Sequence, residues 1–142
     1  MQYDLDLILK LADECEKGEG PDRDLDARIE CAAPFSDHLH SYKPAKAPGN
    51  VTAIYANGRC GTYSAPYFTS SIDDTEDLRN RLLPESGIDV VIPAKGVRNY
   101  IRHRATVFGY ETDLLRCSEA SSEPRARTAA ALRAFVAKER AK

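Results

Sequence analysis

The sequence predicts an α+β domain, with an antiparallel β-sheet packed against flanking helices. Apolar residues recur at helical spacing at both ends of the chain, and an Asn-Gly step lies between alternating segments in the middle. Strands in antiparallel pairs, with helices segregated from them, give this class. The expected order is α-α-β-β-α-β-β-α within a single domain over residues 1–142.

Leu5, Ile8, Leu9, Leu11, Ala12 and Cys15 form the broad apolar side of a first helix, ended by Gly18 and Gly20. A second helix follows in GPDRDLDARIECAA, with Pro21 at its first position and Leu25, Ile29 and Ala32 as the inward stripe. Residues 33–50 contain Pro34, Pro44 and Pro48, which should keep this stretch a proline-rich loop. His38 and His40 alternate within it. Without an acid or cysteine partner nearby they read as exposed loop residues, not metal ligands.

The hairpin signal lies in Val51–Ala65, where Val51, Ala53 and Tyr55 alternate with Thr52 and Ile54. Asn57-Gly58 predicts a type I′ turn, and the second strand should run from about Arg59 to Ser64. Ser70 or Ser71 should cap a third helix, each with an aspartate three residues on, as in a capping box. Its stripe is Ile72, Leu78 and Leu82, and Pro84 stops it. GIDVVIPAKG reads as a short strand buried at Val90 and Ile92. VRNYIRHRATVFGYE reads as a longer one, with Ile101, His103, Ala105 and Val107 on one face and Tyr100, Arg102, Arg104 and Phe108 on the other. The last helix should run from about Ser122 to Arg140, with Thr128, Ala129, Leu132, Phe135 and Val136 on one side. Ala130, Ala134 and Ala137 leave a smooth flank that suits plain propensity or a close neighbour in an oligomer.

A hydrophobic share of 42% and a charged share of 30% fit a globular domain with its own core. No apolar run approaches the roughly 18 residues of a membrane helix. The acidic, periodic N-terminus lacks the features of an export signal, so the expected location is the cytoplasm. Cys15, Cys31, Cys60 and Cys117 match no zinc spacing and read as reduced small hydrophobes. The net charge of -2 hides an asymmetry: ten acids against four bases in residues 1–30, and eleven bases against five acids in residues 91–142. Such ends can complement each other within the fold or between subunits, and a self-complementary contact predicts a homo-oligomer.

No Walker sequence, G-x-G-x-x-G, H-E-x-x-H or G-x-S-x-G is present, so no catalytic residue, cofactor or metal is expected. A nucleophilic Cys60 with His103 would require the fold to bring them together. Arg98, Arg102 and Arg104 with Tyr100 and Phe108 mix basic and stacking groups, as single-strand binders do. The pI of about 5.9 argues against a long phosphate track, and a small anionic ligand needs fewer cations.

Arg125 and Arg127 are the sharpest candidates for that anion. The start of a helix carries about half a positive charge, so arginines there are mildly unfavourable. Its free N–H groups nevertheless bind phosphate, and guanidinium forks strengthen such a site. The candidate ligand site is therefore Arg125 and Arg127 with Ser122, Arg102 or Arg104, and an aromatic from Tyr67, Phe68 or Tyr100. On this view Arg125→Ala leaves the melting temperature unchanged or slightly raised, because a cation leaves the positive helix end.

The segments EGPDRDLDARIECAA, APYFTSSIDDTEDL and SEPRARTAAALRAF, in this order and spacing, resemble a family of short phage and prophage proteins with the phage ABA sandwich domain. The resemblance implies an antiparallel sheet flanked by helices. Small phage proteins of similar build include the Thoeris anti-defence sponges, which trap cyclic ADP-ribose-type signals without cleaving them. The implied role is that of a phage-encoded, non-enzymatic protein sequestering a small (cyclic) nucleotide in the host cytoplasm. Two alternatives stand beside it: an inhibitor that meets a host defence protein through its surface, and a small nucleic-acid-binding regulator.

Overall fold

A computed structural model of the chain describes residues 3–33, 39–93, 102–110 and 113–142. The described elements are α1 (Leu5–Lys17), α2 (Arg23–Ala32), β1 (Leu39–Pro44), β2 (Asn50–Tyr55), β3 (Cys60–Ser64), α3 (Ile72–Leu82), β4 (Ser86–Val91), β5 (His103–Gly109), β6 (Leu115–Ala120) and α4 (Glu123–Arg140). The class is α+β, as the sequence predicts. The strands form two antiparallel sheets, β1-β2-β3 and β4-β5-β6, in place of one.

Helix α4 is the centre of the larger unit, packed by α1, α3, β5 and β6. Its Leu132, Phe135 and Val136 join Ile8, Leu11, Leu78 and Val107 in one buried core. The first sheet reaches the rest of the chain through α2, where Val51 and Ala65 meet Ala27. The alanine flank proposed for an oligomer contact is used inside the chain. Ala130 and Ala134 are fully buried in this core, which leaves only the partly buried Ala137 near the surface.

Several local expectations are corrected. Residues 39–44 of the proline-rich segment are strand β1, with Pro44 at the end of an edge strand, where a missing N–H does little harm. Pro34 and His38 lie outside the described residues. Strand β6 was absent from the predicted order, and only the second half of the predicted strand from Val97 to Glu111 is described, as β5. Pro21 precedes the helix it was expected to start: Asp22 is the N-cap, its Oδ1 accepting from Leu25 N–H at 2.9 Å. Ser71 caps α3, but the Asp74 carboxylate accepts from Tyr67 N–H, so no reciprocal capping box closes. Ile72, at the first position of α3, is 41% exposed, and Ile92 beyond β4 is 61% exposed. The β2–β3 turn is not type I′. Gly58 N–H donates to Tyr55 O, and Gly58 itself takes φ +83°, giving a three-residue loop with a left-handed glycine.

Arg125 organises the packing of α1 on α4. It lies one turn into α4 and is 2% exposed. Its Nε donates to Gly20 O at 2.8 Å, Nη1 to Glu14 O and Cys15 O at 3.2 and 3.4 Å, and Nη2 to Glu19 O at 3.3 Å. These carbonyls are the C-terminus of α1 and the loop behind it. The last carbonyls of a helix lack intrahelical partners and carry partial negative charge, so a cation there satisfies both needs. Arg102 donates to Glu16 O, and Ser121 Oγ to Gly18 O at 3.0 Å, completing the cap. Gly18 is required by proximity, not conformation: a Cβ there would stand 2.5 Å from Arg125 Nη1.

The charge asymmetry is resolved within the chain by the same pair of helices. Arg133 pairs with Glu16 at 2.6 Å and with Asp13, and Arg140 with Asp6 at 2.8 Å. These contacts run from the end of α1 to its start as α4 advances, so the helices are antiparallel and their dipoles oppose.

Arg125→Ala is therefore expected to cost about 2–3 kcal/mol, the range for lost hydrogen bonds to a charged, buried donor. Gly18→Ala should destabilise in the same direction, because the guanidinium must move. Urea unfolding measures both. An unchanged midpoint in Arg125→Ala would show that the carbonyl cap contributes nothing.

Candidate functional site

The residues proposed for the anion site are placed as follows. Arg125 is enclosed by the α1 carbonyls. Ser122 caps α4, its Oγ accepting from Arg125 N–H at 3.4 Å. Arg127 pairs with Glu76 at 2.8 Å and Glu123 at 2.9 Å. Arg102 serves the α1 cap, and Arg104 forms an exposed pair with Glu119 at 2.6 Å. Phe68 is fully buried and its carbonyl accepts from Thr128 Oγ1 at 2.8 Å. Tyr67 is half exposed under the Arg23 guanidinium, 3.8 Å from its ring centroid. Tyr100 lies outside the described residues. The arginine forks at the start of α4 thus have protein acceptors, and removing Arg125 is now expected to lower stability, where the helix-end argument alone expects it unchanged or slightly raised.

Glu76 shows how complete this neutralisation is. Its carboxylate accepts from Arg79 Nη2 at 3.0 Å and Arg127 Nη1 at 2.8 Å, and the Arg79 hydrogen bond, foremost, holds its pKa below the usual range. Arg79 also reaches Ser86 Oγ at 3.0 Å, tying α3 to β4.

A different place on the molecule gathers cations that no described carboxylate holds in an ion pair. A groove of about 390 Å³ lies between the C-terminal half of α4, Gly109 at the end of β5, Asp113, Leu114 and Arg116 at the start of β6, and the α3–β4 connection. Leu83, Leu114 and Ala137 supply apolar walls, Arg116 and Lys138 supply cations, and Glu85 and Asp113 supply acceptors. A second hollow of about 440 Å³ continues from it along α4 toward Leu9 and shares Arg116, Ala137 and Ala141. Among the described residues Arg116 donates only to its neighbour, the Leu115 carbonyl, at 2.6 Å. Among the described residues neither Arg116 nor Lys138 pairs with a carboxylate.

Strand pairing explains Arg116. Val107 lies opposite it and is fully buried, so Arg116 stands on the helix-facing side of β6 with Ser118 and Ala120. The last two are buried; Arg116 falls at the rim, where that face opens into the groove. The sequence carries little signal for Arg116, because its face of LRCSEA holds only Ser118 and Ala120 and gives no apolar period. Lys138 carries no signal either, since a lysine near a helix end also suits the dipole.

Compared with protein-family models, curated proteins and solved structures, the chain gives no significant match. Cys60 lies on β3 and His103 on β5, in different sheets, so neither strand pairing nor sequence joins them. No group of three or more metal-binding side chains occurs among the described residues.

The four cysteines are free and differ in setting. Burial, foremost, raises the Cys15 thiol to about 12 and the Cys31 thiol to about 11, while Cys60 and Cys117 are exposed. A thiol whose pKa rises on folding stabilises less as pH climbs above its ordinary value, so Cys15 and Cys31 weaken the fold above about pH 9. At pH 8 a disulfide reagent should label Cys60 and Cys117 quickly, Cys31 slowly, and Cys15 only on unfolding. Rapid labelling of Cys15 in the native protein would contradict its burial.

Proposed function

We propose that this chain is a non-enzymatic binding protein that sequesters a small anionic nucleotide in the groove beside α4. The observation that carries this is the pairing pattern of the cations: among the described residues Arg116 and Lys138 line the groove without a carboxylate ion pair, whereas Arg104, Arg127, Arg133 and Arg140 are each paired. The apolar walls suit one face of a base. Glu85 and Asp113 suit sugar hydroxyls or exocyclic amines, and the two cations suit a phosphate. The resemblance to short phage proteins supports a setting in which such binding removes a nucleotide signal of host defence, as a cytoplasmic sponge would.

A second reading, inhibition of a host protein through a surface contact, draws support from the outer face of the β4-β5-β6 sheet. At one end of it Phe108 packs over Gly87 and meets Tyr110 edge to face, with Tyr110 and Leu115 69% and 58% exposed, while Asp89, Arg104 and Glu119 lie further along the same face. An exposed apolar cluster of this kind is what partners cover.

Calorimetric titration with AMP separates the readings. Binding should weaken about 10–100-fold in Arg116→Ala and again in Lys138→Ala, the range for charged hydrogen bonds, with no change in melting temperature. Unchanged affinity in the double variant, or no binding to the parent chain at millimolar AMP, would overturn the nucleotide proposal.

A further inference from the structure

We infer that the groove beside α4 is one half of a two-lobed site, whose ligand carries two flat, largely uncharged bodies joined by a single anionic bridge, as in a dinucleoside phosphate. The inference rests on the nucleotide proposal and deepens it. The two hollows, about 390 and 440 Å³, meet along Ala137 and Ala141, with Arg116 lining both. Each volume lies within the usual range for a small-molecule site, toward its lower end. The charge distribution then fixes where the anion belongs.

In the second lobe the two other cations are already committed, Arg133 to Glu16 and Asp13 and Arg140 to Asp6. They add no net attraction for a phosphate there. With Leu9 and Val136 they instead offer apolar wall and guanidinium planes, on which an uncharged ring stacks well. Among the described residues, the lining cations outside any carboxylate ion pair are Arg116, at the divide, and Lys138, on the first-lobe side of it, with Glu85 and Asp113 on the same wall. A bridging phosphate at Arg116 leaves one nucleoside against Leu83 and Leu114 and the other against Leu9 and Val136. A mononucleotide fills only one lobe, and the bridge makes the second contact intramolecular.

The test is competition calorimetry on the full chain with two probes, AMP and the dinucleoside phosphate ApA. ApA should bind at least about 30-fold more tightly than AMP, as expected when a linked second group binds intramolecularly. Arg140→Trp places a bulky ring in the second lobe at an exposed position; it should reduce ApA to the level of AMP and leave AMP unchanged. Arg140→Ala removes the same charge and one stacking plane without filling the lobe, so it should lower the preference for ApA only in part and keep ApA tighter than AMP. Asp113→Trp, in the first lobe, should weaken both probes. If AMP binds and ApA binds no better, or if Arg140→Trp leaves ApA unchanged, the two-lobed site is wrong while the nucleotide proposal stands. If neither probe binds, both fall.

Discussion

The contact between the Arg125 guanidinium and the end of α1 sets the geometry of the whole molecule. A helix C-terminus presents carbonyls with no partner, and water would normally solvate them. Here the end of α1 is turned inward against the start of α4, and one side chain reaches Glu14, Cys15, Glu19 and Gly20 together. The small dipole penalty for a cation in the first turn of α4 is offset by the opposite dipole end of α1 a few ångströms away. With that point fixed, α1 lies antiparallel along α4, and Arg133 and Arg140 meet the acids of α1 in order.

Other arginines repeat the device at other joints. Arg23 on α2 donates to the carbonyls of Gly49, Ala65 and Pro66 and to the buried Asp26, holding the first sheet to α2. A Cβ at Gly49 would stand 2.5 Å from its Nε, so glycine makes room there as at Gly18. Arg81 pairs with Glu30 at 3.2 Å and joins α3 to α2. Asp26 shows the cost of this scheme: burial, the largest effect, pushes its carboxyl up, and the hydrogen bonds from Arg23 and Thr69 pull it back. A small domain with few aromatic residues is thus held at its joints by multidentate cations as well as by its apolar core.

Much of the fold was legible because local chemistry agreed with tertiary structure. The apolar side of α1, a serine cap at Ser70 or Ser71, the span of α4, the stop at Pro84 and the alternation of Ala105 and Val107 all read directly from residues. Strand β6 was hidden because its two buried residues are Ser118 and Ala120, too small and polar to give an apolar period. Strand β1 was hidden by flanking prolines that an edge strand tolerates. The site was less legible than the fold. Two arginines at a helix start look the same in sequence whether they meet a phosphate or a neighbouring helix end, and only the path of α1 distinguishes them. Arg116 lay inside the strand that was not recognised.

Whether Arg125 serves α1 or an external anion can be observed directly through its side-chain Nε–H in a proton–nitrogen NMR spectrum. Donation to Gly20 O inside a 2% exposed side chain predicts a slowly exchanging resonance. That resonance should stay unmoved as inorganic phosphate is added to tens of millimolar. A rapidly exchanging Nε–H that shifts and saturates with phosphate would contradict the account, and would return the start of α4 to the role of an anion site.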